Sequence, residues 1–452
     1  MDKELALELI GNKQFAALKS DLQEMNPADL AFLISELDEY EDFSEKQLIM
    51  LYRILPKELA AESFTYMDSD TQMKLINIFS DKELRYVIDE LYIDDTVDII
   101  EEMPANVVSR ILRNTDPETR KQINDILKYP KDSAGSVMTT EFVKLRESMT
   151  VLEAFQTIRK VGVDKETIYT CYVTERAKLI GVVTVKDMLL CEETKTIGEI
   201  MERNVIYVNT HDDKEETVNL MSKYDFMTMP VTDAEGRLVG IVTFDDAIDV
   251  IQEETTEDIE KMAAITPTDK PYLKLGVFQT WKNRIPWLAL LMVSATFTGT
   301  IISRYEDSLA KVVVLTAFIP MLMDSGGNAG SQASVTIIRG LSLEEIRFGD
   351  IFRVIWKEFR VSLLCGISLA LLGFLKAMFI DRVSVTIGVV IALTLFVTIV
   401  CAKLVGCVLP MLAKKLGFDP AVMASPFITT IVDAIGLVVY FNIATLLLDA
   451  LK

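Results

Sequence analysis

Through residues 1–131 apolar side chains recur at i, i+3 and i+4 in short runs, such as PADLAFLISEL (27–37), SEKQLIMLYRIL (44–55), DKELRYVIDELY (81–92) and PETRKQINDILKY (117–129). Pro27, Pro104 and Pro117 fall at first-turn positions, where a missing N–H costs nothing. The spacing predicts helices in series, roughly 12 residues each, stacked as a superhelix. From residue 132 the period shortens to two in β-branched runs such as IYTCYV (168–173) and TMPVTD (228–233), which predict strands. Beyond residue 270 the chain turns apolar. Five segments (285–303, 312–338, 361–380, 383–413 and 420–448) are each long enough to cross a bilayer as a helix of about 20 residues.

Charge divides the chain at the same place. The whole carries −21, but residues 1–270 hold 56 acidic and 30 basic side chains, whereas residues 271–452 hold 11 and 16. An acidic soluble half joined to a nearly charge-free one excludes a purely soluble enzyme. It also excludes a nucleic-acid binder, which needs a basic face. Lys and Arg cluster before the first apolar segment (Lys274, Lys282, Arg284), between the second and third (Arg339, Arg347, Arg353, Lys357, Arg360) and between the fourth and fifth (Lys414, Lys415). The other two connections have few. This predicts a cytoplasmic N-terminal half and an outside C-terminus in a multi-pass protein of the plasma (inner) membrane. The N-terminus lacks the pattern of a signal peptide. Five scattered cysteines without CxxC spacing fit a reducing compartment.

Residues 132–255 contain a duplication. LIGVVTVKDML (179–189) matches LVGIVTFDDAI (238–248), with Gly181/Gly240, Thr184/Thr243 and Asp187/Asp246 in register. Each copy reads helix, short strand, helix, two strands, helix. The unit resembles the cystathionine-β-synthase (CBS) domain pair. There a hydroxyl and a carboxylate at a strand–helix junction take the sugar hydroxyls of an adenine nucleotide, near a helix N-terminus that favours phosphate. Tyr169 and Phe226 stand where an adenine could stack. The bland alternative is that both Thr-x-x-Asp elements only cap helices.

Residues 246–267 read as one acidic helix on which Glu254, Glu257 and Asp258 share a face, a repulsive arrangement that a cation would relieve. Two carboxylates interrupt the apolar segments. Asp433 sits mid-segment beside Thr429, Thr430 and Gly436, and Asp324 precedes SGGNAGSQ (325–332). A carboxylate within a span is costly and points to function. The Gly, Ser, Asn and Gln that follow Asp324 predict a broken helix or exposed backbone lining a cavity. All these donors are hard oxygens, which favours Mg²⁺ or Ca²⁺ over Zn²⁺. One carboxylate per chain suits Mg²⁺, which keeps most of its waters, and a dimer would supply two.

The motifs Pro320-x-Leu322, Gly327-Asn328-x-Gly330-x-Gln332, Ile338-Arg339-Gly340, Asp419-Pro420-Ala421 and Asp433-x-x-Gly436 resemble the MgtE magnesium channel/transporter family, and the domain order matches throughout. The resemblance implies a multidomain membrane protein: an α-helical superhelical N domain (1–131), an α/β CBS pair (132–245, about 132–197 and 198–245), a connecting plug helix (246–270) and a five-helix transmembrane domain (271–452). It implies a homodimer in the lipid bilayer that takes up Mg²⁺ through a pore lined by the second and fifth helices. The pore carboxylate falls on Asp433, with Asn328, Thr429 and Asp324 nearby; Asp324 stands where some members have Gly. Regulatory Mg²⁺ positions fall on Glu62, Asp94, Asp98, Glu215, Asp225, Asp249, Glu254, Glu257, Asp258 and Asp419. ATP as a regulator would contact Tyr169, Lys186, Asp187 and Phe226, and Thr243 and Asp246 repeat the sugar-binding pair. The alternatives are a broader divalent-cation carrier (Mg²⁺, Co²⁺, Mn²⁺) and a non-conducting, membrane-anchored nucleotide sensor. An enzyme is not expected. No Gly-x-Gly-Asp marks an intramembrane aspartyl protease, and no G-x-x-x-x-G-K-[ST] loop marks an ATP-driven pump.

Overall fold

The computed structural model describes residues 1–40, 42–268, 270, 272–423 and 425–451. The chain forms two compact units, residues 1–251 and 252–452.

The first unit begins with short helices from Lys3–Gly11 to Pro117–Ile126. Side-chain caps start many of them: Asp2, Asn26, Asp68, Ser80 and Asp116 each accept a backbone N–H of the first turn. Pro27 and Pro117 open their helices as expected. Pro104 instead occupies the N-cap of Ala105–Asn114, one residue earlier than its first-turn reading. Helices pack on the next but one along the chain: Pro27–Asp38 on Lys57–Thr65, Glu45–Ile54 on Ser69–Ile78, and Ile93–Glu102 on Pro117–Ile126. The domain is helical throughout, as the periodicity predicts. Leu18, Leu30, Ile34, Leu48, Leu51 and Leu75 are fully buried in its core. The Tyr52 hydroxyl satisfies itself there by donating to Ala60 O at 2.7 Å.

The duplication appears as two three-stranded sheets. In the first, β1 (Phe142–Leu145) runs parallel to β2 (Thr167–Glu175), which pairs antiparallel with β3 (Lys178–Thr184). In the second, β4 (Val208–Asn209), β5 (Thr228–Thr232) and β6 (Leu238–Thr243) repeat the pattern. The segment that leads each copy joins the other copy's sheet. Thr139 pairs with Ile241, and Val182 with Glu202. The second leader forms the short helix Ile197–Ile200, but the first forms turns rather than the expected helix. The matched glycines mark these crossings. A Cβ on Gly181 would lie 2.6 Å from Met201 Sδ, and one on Gly240 would lie 2.5 Å from Met138 Sδ.

The acidic helix runs from Phe244 to Met262 and crosses the division between the units. The second unit is otherwise helical. Among the described residues four helices are long and apolar enough to cross a membrane: Val277–Arg304, Phe348–Phe379, Val385–Lys415 and Pro426–Leu447. The second predicted segment is a different object. It starts as a 3-10 helix, Val313–Phe318, and continues as the glycine-rich helix Ile319–Ser342, which is not among the four apolar ones. The expected break is absent. The glycines serve packing: a Cβ on Gly326 would lie 2.8 Å from Thr398 Cγ2, and one on Gly330 would lie 2.7 Å from Ile428 Cγ2. Gly406 meets the Gly330 backbone, a contact between helices that only small residues permit.

Candidate functional site: two sets of carboxylates

In the second unit the glycine-rich helix lies against the helix Ser425–Leu447. Gly330 faces Ile428, Gly327 faces Thr429, and Gly326 faces Val432. One helix ascends as the other descends. The register therefore brings Asp324 and Asp433 to the same level, one turn beyond the Gly327–Thr429 contact. Asp324 and Asn328 are exposed on one face of their helix, and Thr429 and Asp433 are half-buried. Thr429 donates its hydroxyl to Pro426 O at 2.9 Å, which leaves the oxygen to accept or to ligate. Two carboxylates, an amide and a hydroxyl on adjoining surfaces form a hard-oxygen set that fits Mg²⁺ or its hydration shell.

In the first unit Asp94, Glu141 and Glu166 bring carboxylate oxygens within 4.8 Å of one another. Strand pairing explains the meeting. Glu141 precedes β1 and Glu166 precedes β2; the two strands run parallel, and Glu166 N donates to Glu141 O at 3.0 Å. Asp94 enters from the helix Ile93–Glu102 and is only 8 % exposed. Its Oδ1 and Glu166 Oε2 are buried without a hydrogen-bond partner. Asp95, Asp245 and Asp246 add their charges. Burial, then Asp246, Asp95 and Glu166, push the Asp94 carboxyl well above the usual range. Burial and the neighbouring acids push Asp95 up to about 6 and Glu166 up to about 8. Buried oxygens that lack donors among like charges are what a divalent cation would satisfy.

The other expected regulatory positions are dispersed. Glu62, Asp98, Asp225 and Asp249 are exposed, and Glu215 is half-buried in the first turn of Lys214–Tyr224. Asp225 ends that helix with φ 54°. In the second unit Glu254, Glu257 and Asp258 line the last turns of the acidic helix, half-buried. The sequence reading missed what lies beside them. Lys261 pairs with Glu257 one turn back, and its Nζ lies 2.7 Å from Asp419 Oδ2. Against the cost of burial, Asp419 and Glu257 hold this ammonium charged, above the ordinary lysine range. The i, i+4 spacing of Glu257 and Lys261 was the available signal.

Both Thr-x-x-Asp elements are helix starts. Thr184 Oγ1 donates to Asp187 Oδ2 at 2.5 Å and accepts from Asp187 N, and Thr243 Oγ1 reaches Asp246 Oδ2 at 2.5 Å. Their surroundings differ. Lys186 and Asp187 are exposed near an open Tyr169 ring, 72 % exposed. Asp246 is half-buried beside the carboxylate cluster, where burial and Asp245 and Asp249 outweigh the Thr243 bond and raise it to about 6. Phe226 stacks on Tyr224 at 5.5 Å.

An acidic helical domain, a duplicated α/β module, helices of membrane length and a glycine-rich helix that brings Asp324 level with Asp433 fit a membrane protein that handles cations. Comparison with known proteins gives the family. A divalent cation transporter model of the MgtE type matches residues 319–443, the MgtE intracellular N domain matches 38–132, and CBS domains match 134–192 and 197–253. The chain is 36 % identical to the magnesium transporter MgtE of Thermus thermophilus over 458 residues, covering all of both chains. It is 32 % identical to that of Bacillus subtilis over 448 residues, covering 98 % of this chain and 96 % of the other. A crystal structure of the cytosolic domain of the Mg²⁺ channel MgtE in complex with ATP covers 54 % of this chain and 98 % of that one, at 35 % identity and TM-score 0.50. The chain belongs to the MgtE family of magnesium transporters, multi-pass membrane proteins and not enzymes.

Proposed function

We propose that this protein is a Mg²⁺ channel of the plasma membrane. In this reading it works as a homodimer whose pore runs along the glycine-rich helix and the helix Ser425–Leu447. The glycine-rich helix is then the fifth span, its polar face turned to water rather than lipid. The cytosolic half carries the acidic domains, and the C-terminus lies outside. The observation that carries the reading is the common level of Asp324 and Asp433 on two helices packed through glycine. With two copies, this ring of negative charge suits a hydrated dication. Asn328 and Thr429 add neutral oxygens beside it.

Cytosolic Mg²⁺ is the closing signal. It binds the Asp94, Glu141 and Glu166 cluster with Asp246, and the plug-helix carboxylates with Asp419. The remaining exposed acids (Glu62, Asp98, Glu215, Asp225, Asp249) supply weaker sites. A switch between 1:99 and 99:1 needs roughly 5.5 kcal/mol of differential binding, within reach of several weak sites acting together. ATP modulates this response from the first CBS copy, at Tyr169, Lys186, Asp187 and Phe226. The ATP-bound cytosolic domain of a relative supports that reading.

The test is Mg²⁺ uptake into liposomes at two internal Mg²⁺ concentrations. Asp433→Asn keeps shape and hydrogen bonding but removes the charge. Its flux should fall at least about tenfold, since charge counts for more in low-dielectric surroundings, and Asp324→Gly should cost less. Wild-type flux in Asp433→Asn would remove the pore assignment.

A further inference from the structure

Glu257 and Asp419 approach each other through a cation the protein carries itself. The Lys261 ammonium contacts both carboxylates, reaching Asp419 Oδ2 at 2.7 Å. Its side chain is 25 % exposed, and those of Glu257 and Asp419 are 37 % and 34 % exposed. The arrangement is braced on each side. Asp419 Oδ1 accepts from Ala421 N at 2.8 Å, Glu260 Oε2 accepts from Thr268 N at 3.0 Å, and Met262 packs on Ile338 and Ala421. The carboxylates are thus held in place without a metal, and their mutual repulsion is already reduced.

We propose that Lys261 is a tethered competitor for the regulatory cation and sets how much Mg²⁺ the Glu257–Asp419 site requires. This rests on the reading of that site as part of the Mg²⁺ sensor. A dication bridging Glu257 and Asp419 must displace the ammonium, so binding becomes an exchange of one cation for another. The apparent affinity is lowered by the strength of the pair that is broken. Lys261 also has a selective effect. A monovalent ion brings no more charge than the ammonium it must replace and has to leave bulk water as well. A dication gains a second charge on the same two carboxylates. The tether therefore keeps cellular monovalent cations out of the site and leaves it to respond to dications.

The experiment uses the full-length protein in detergent. It follows the Mg²⁺ concentration that half-protects the 244–262 helix from protease, together with the heat of Mg²⁺ binding. Lys261→Gln should lower the half-protection concentration about fivefold, the scale of a partly exposed ion pair. Lys261→Arg, which keeps the charge, should stay near wild type. In Lys261→Gln, 150 mM K⁺ should also compete measurably with Mg²⁺, which it does not in wild type. A Lys261→Gln midpoint that is unchanged or raised overturns the proposal; a raised one would make Lys261 a latch. Asp419→Asn separates this failure from that of the underlying reading. If its Mg²⁺ response equals wild type, the sensor assignment of the site falls. If Asp419→Asn weakens protection while Lys261→Gln changes nothing, the sensor stands and only the competition is wrong.

Discussion

The two CBS copies share strand order, register and a Thr-x-x-Asp element, yet the charges around that element differ. In the first, Lys186 and Asp187 are exposed, Thr184 is half-buried and the Tyr169 ring is open to solvent, a place a phosphate-bearing ligand can approach. In the second, Thr243 and Asp246 keep the same 2.5 Å contact, but Asp94, Asp95, Glu166 and Asp245 surround them. Like charges there repel phosphates and attract metal. In the proposed reading, what packs against each copy suits the duplicated scaffold to two different ligand chemistries. The motif identifies where a ligand site lies but not which ligand it takes.

The comparison breaks most readily with nucleotide. Asp187→Ala should weaken ATP binding at least about a hundredfold, because a sugar diol loses its charged acceptor. Asp246→Ala should leave it within about twofold. Calorimetry on the soluble half decides. Equal losses in both variants would mean that the copies are equivalent.

The next effect is on pH. Asp94, Asp95, Asp246 and Glu166 all have folded-state values above their unfolded ones of about 4. The native state therefore binds more protons, and stability falls as pH rises. The contribution is complete below pH ~4. It is lost as the pH passes about 6 for Asp95 and Asp246 and about 8 for Glu166. Thermal unfolding of residues 1–251 in EDTA should show a midpoint that drops from pH 5 to pH 8, and millimolar Mg²⁺ should flatten that slope. A slope unaffected by Mg²⁺ would deny the cluster a metal. Glu166→Gln should stabilise the metal-free protein at pH 8 by about 1 kcal/mol after allowance for solvent screening and reduce the gain from Mg²⁺.

The smallest effect separates the crossings. A Cβ at position 240 would meet Met138 Sδ at 2.5 Å and Thr139 O at 2.9 Å, whereas one at 181 would meet Met201 Sδ at 2.6 Å and Glu202 O at 3.1 Å. A thioether can move and a paired carbonyl cannot. Gly240→Ala should cost about 2–3 kcal/mol and Gly181→Ala about 1 kcal/mol less, read by denaturant titration.

Periodicity carried the helices, the strands and the apolar segments because each depends on local spacing. The chemistry that depends on chain crossings was less legible. Asp94 stood out in the family motif, but Glu141 and Glu166 lie 25 positions apart and meet only because β1 and β2 start side by side. Two glutamates preceding two predicted strands was the available sign, and it has meaning only once those strands are known to be parallel. The glycine-rich stretch misled in the opposite direction. Its composition fits a broken helix as well as a tightly packed one, and only the neighbours of Gly326 and Gly330 decide. The same polarity kept that helix out of the apolar set. Lys261 was hidden because a lysine among acids reads as a solvated surface until Asp419 is placed beside it.

The exchanged leader segments have a consequence for how the module is made. Thr139 completes the sheet that ends at Ile241, and Glu202 completes the one that contains Val182, so neither copy owns all of its own edge. Half of the pair, translated or expressed alone, would present an open strand edge and an uncovered glycine. The first copy lacks the pairing of Val182 until the chain has reached Glu202. Once joined, each copy holds a strand contact that the other supplies, so loosening either leader exposes the sheet edge of its neighbour.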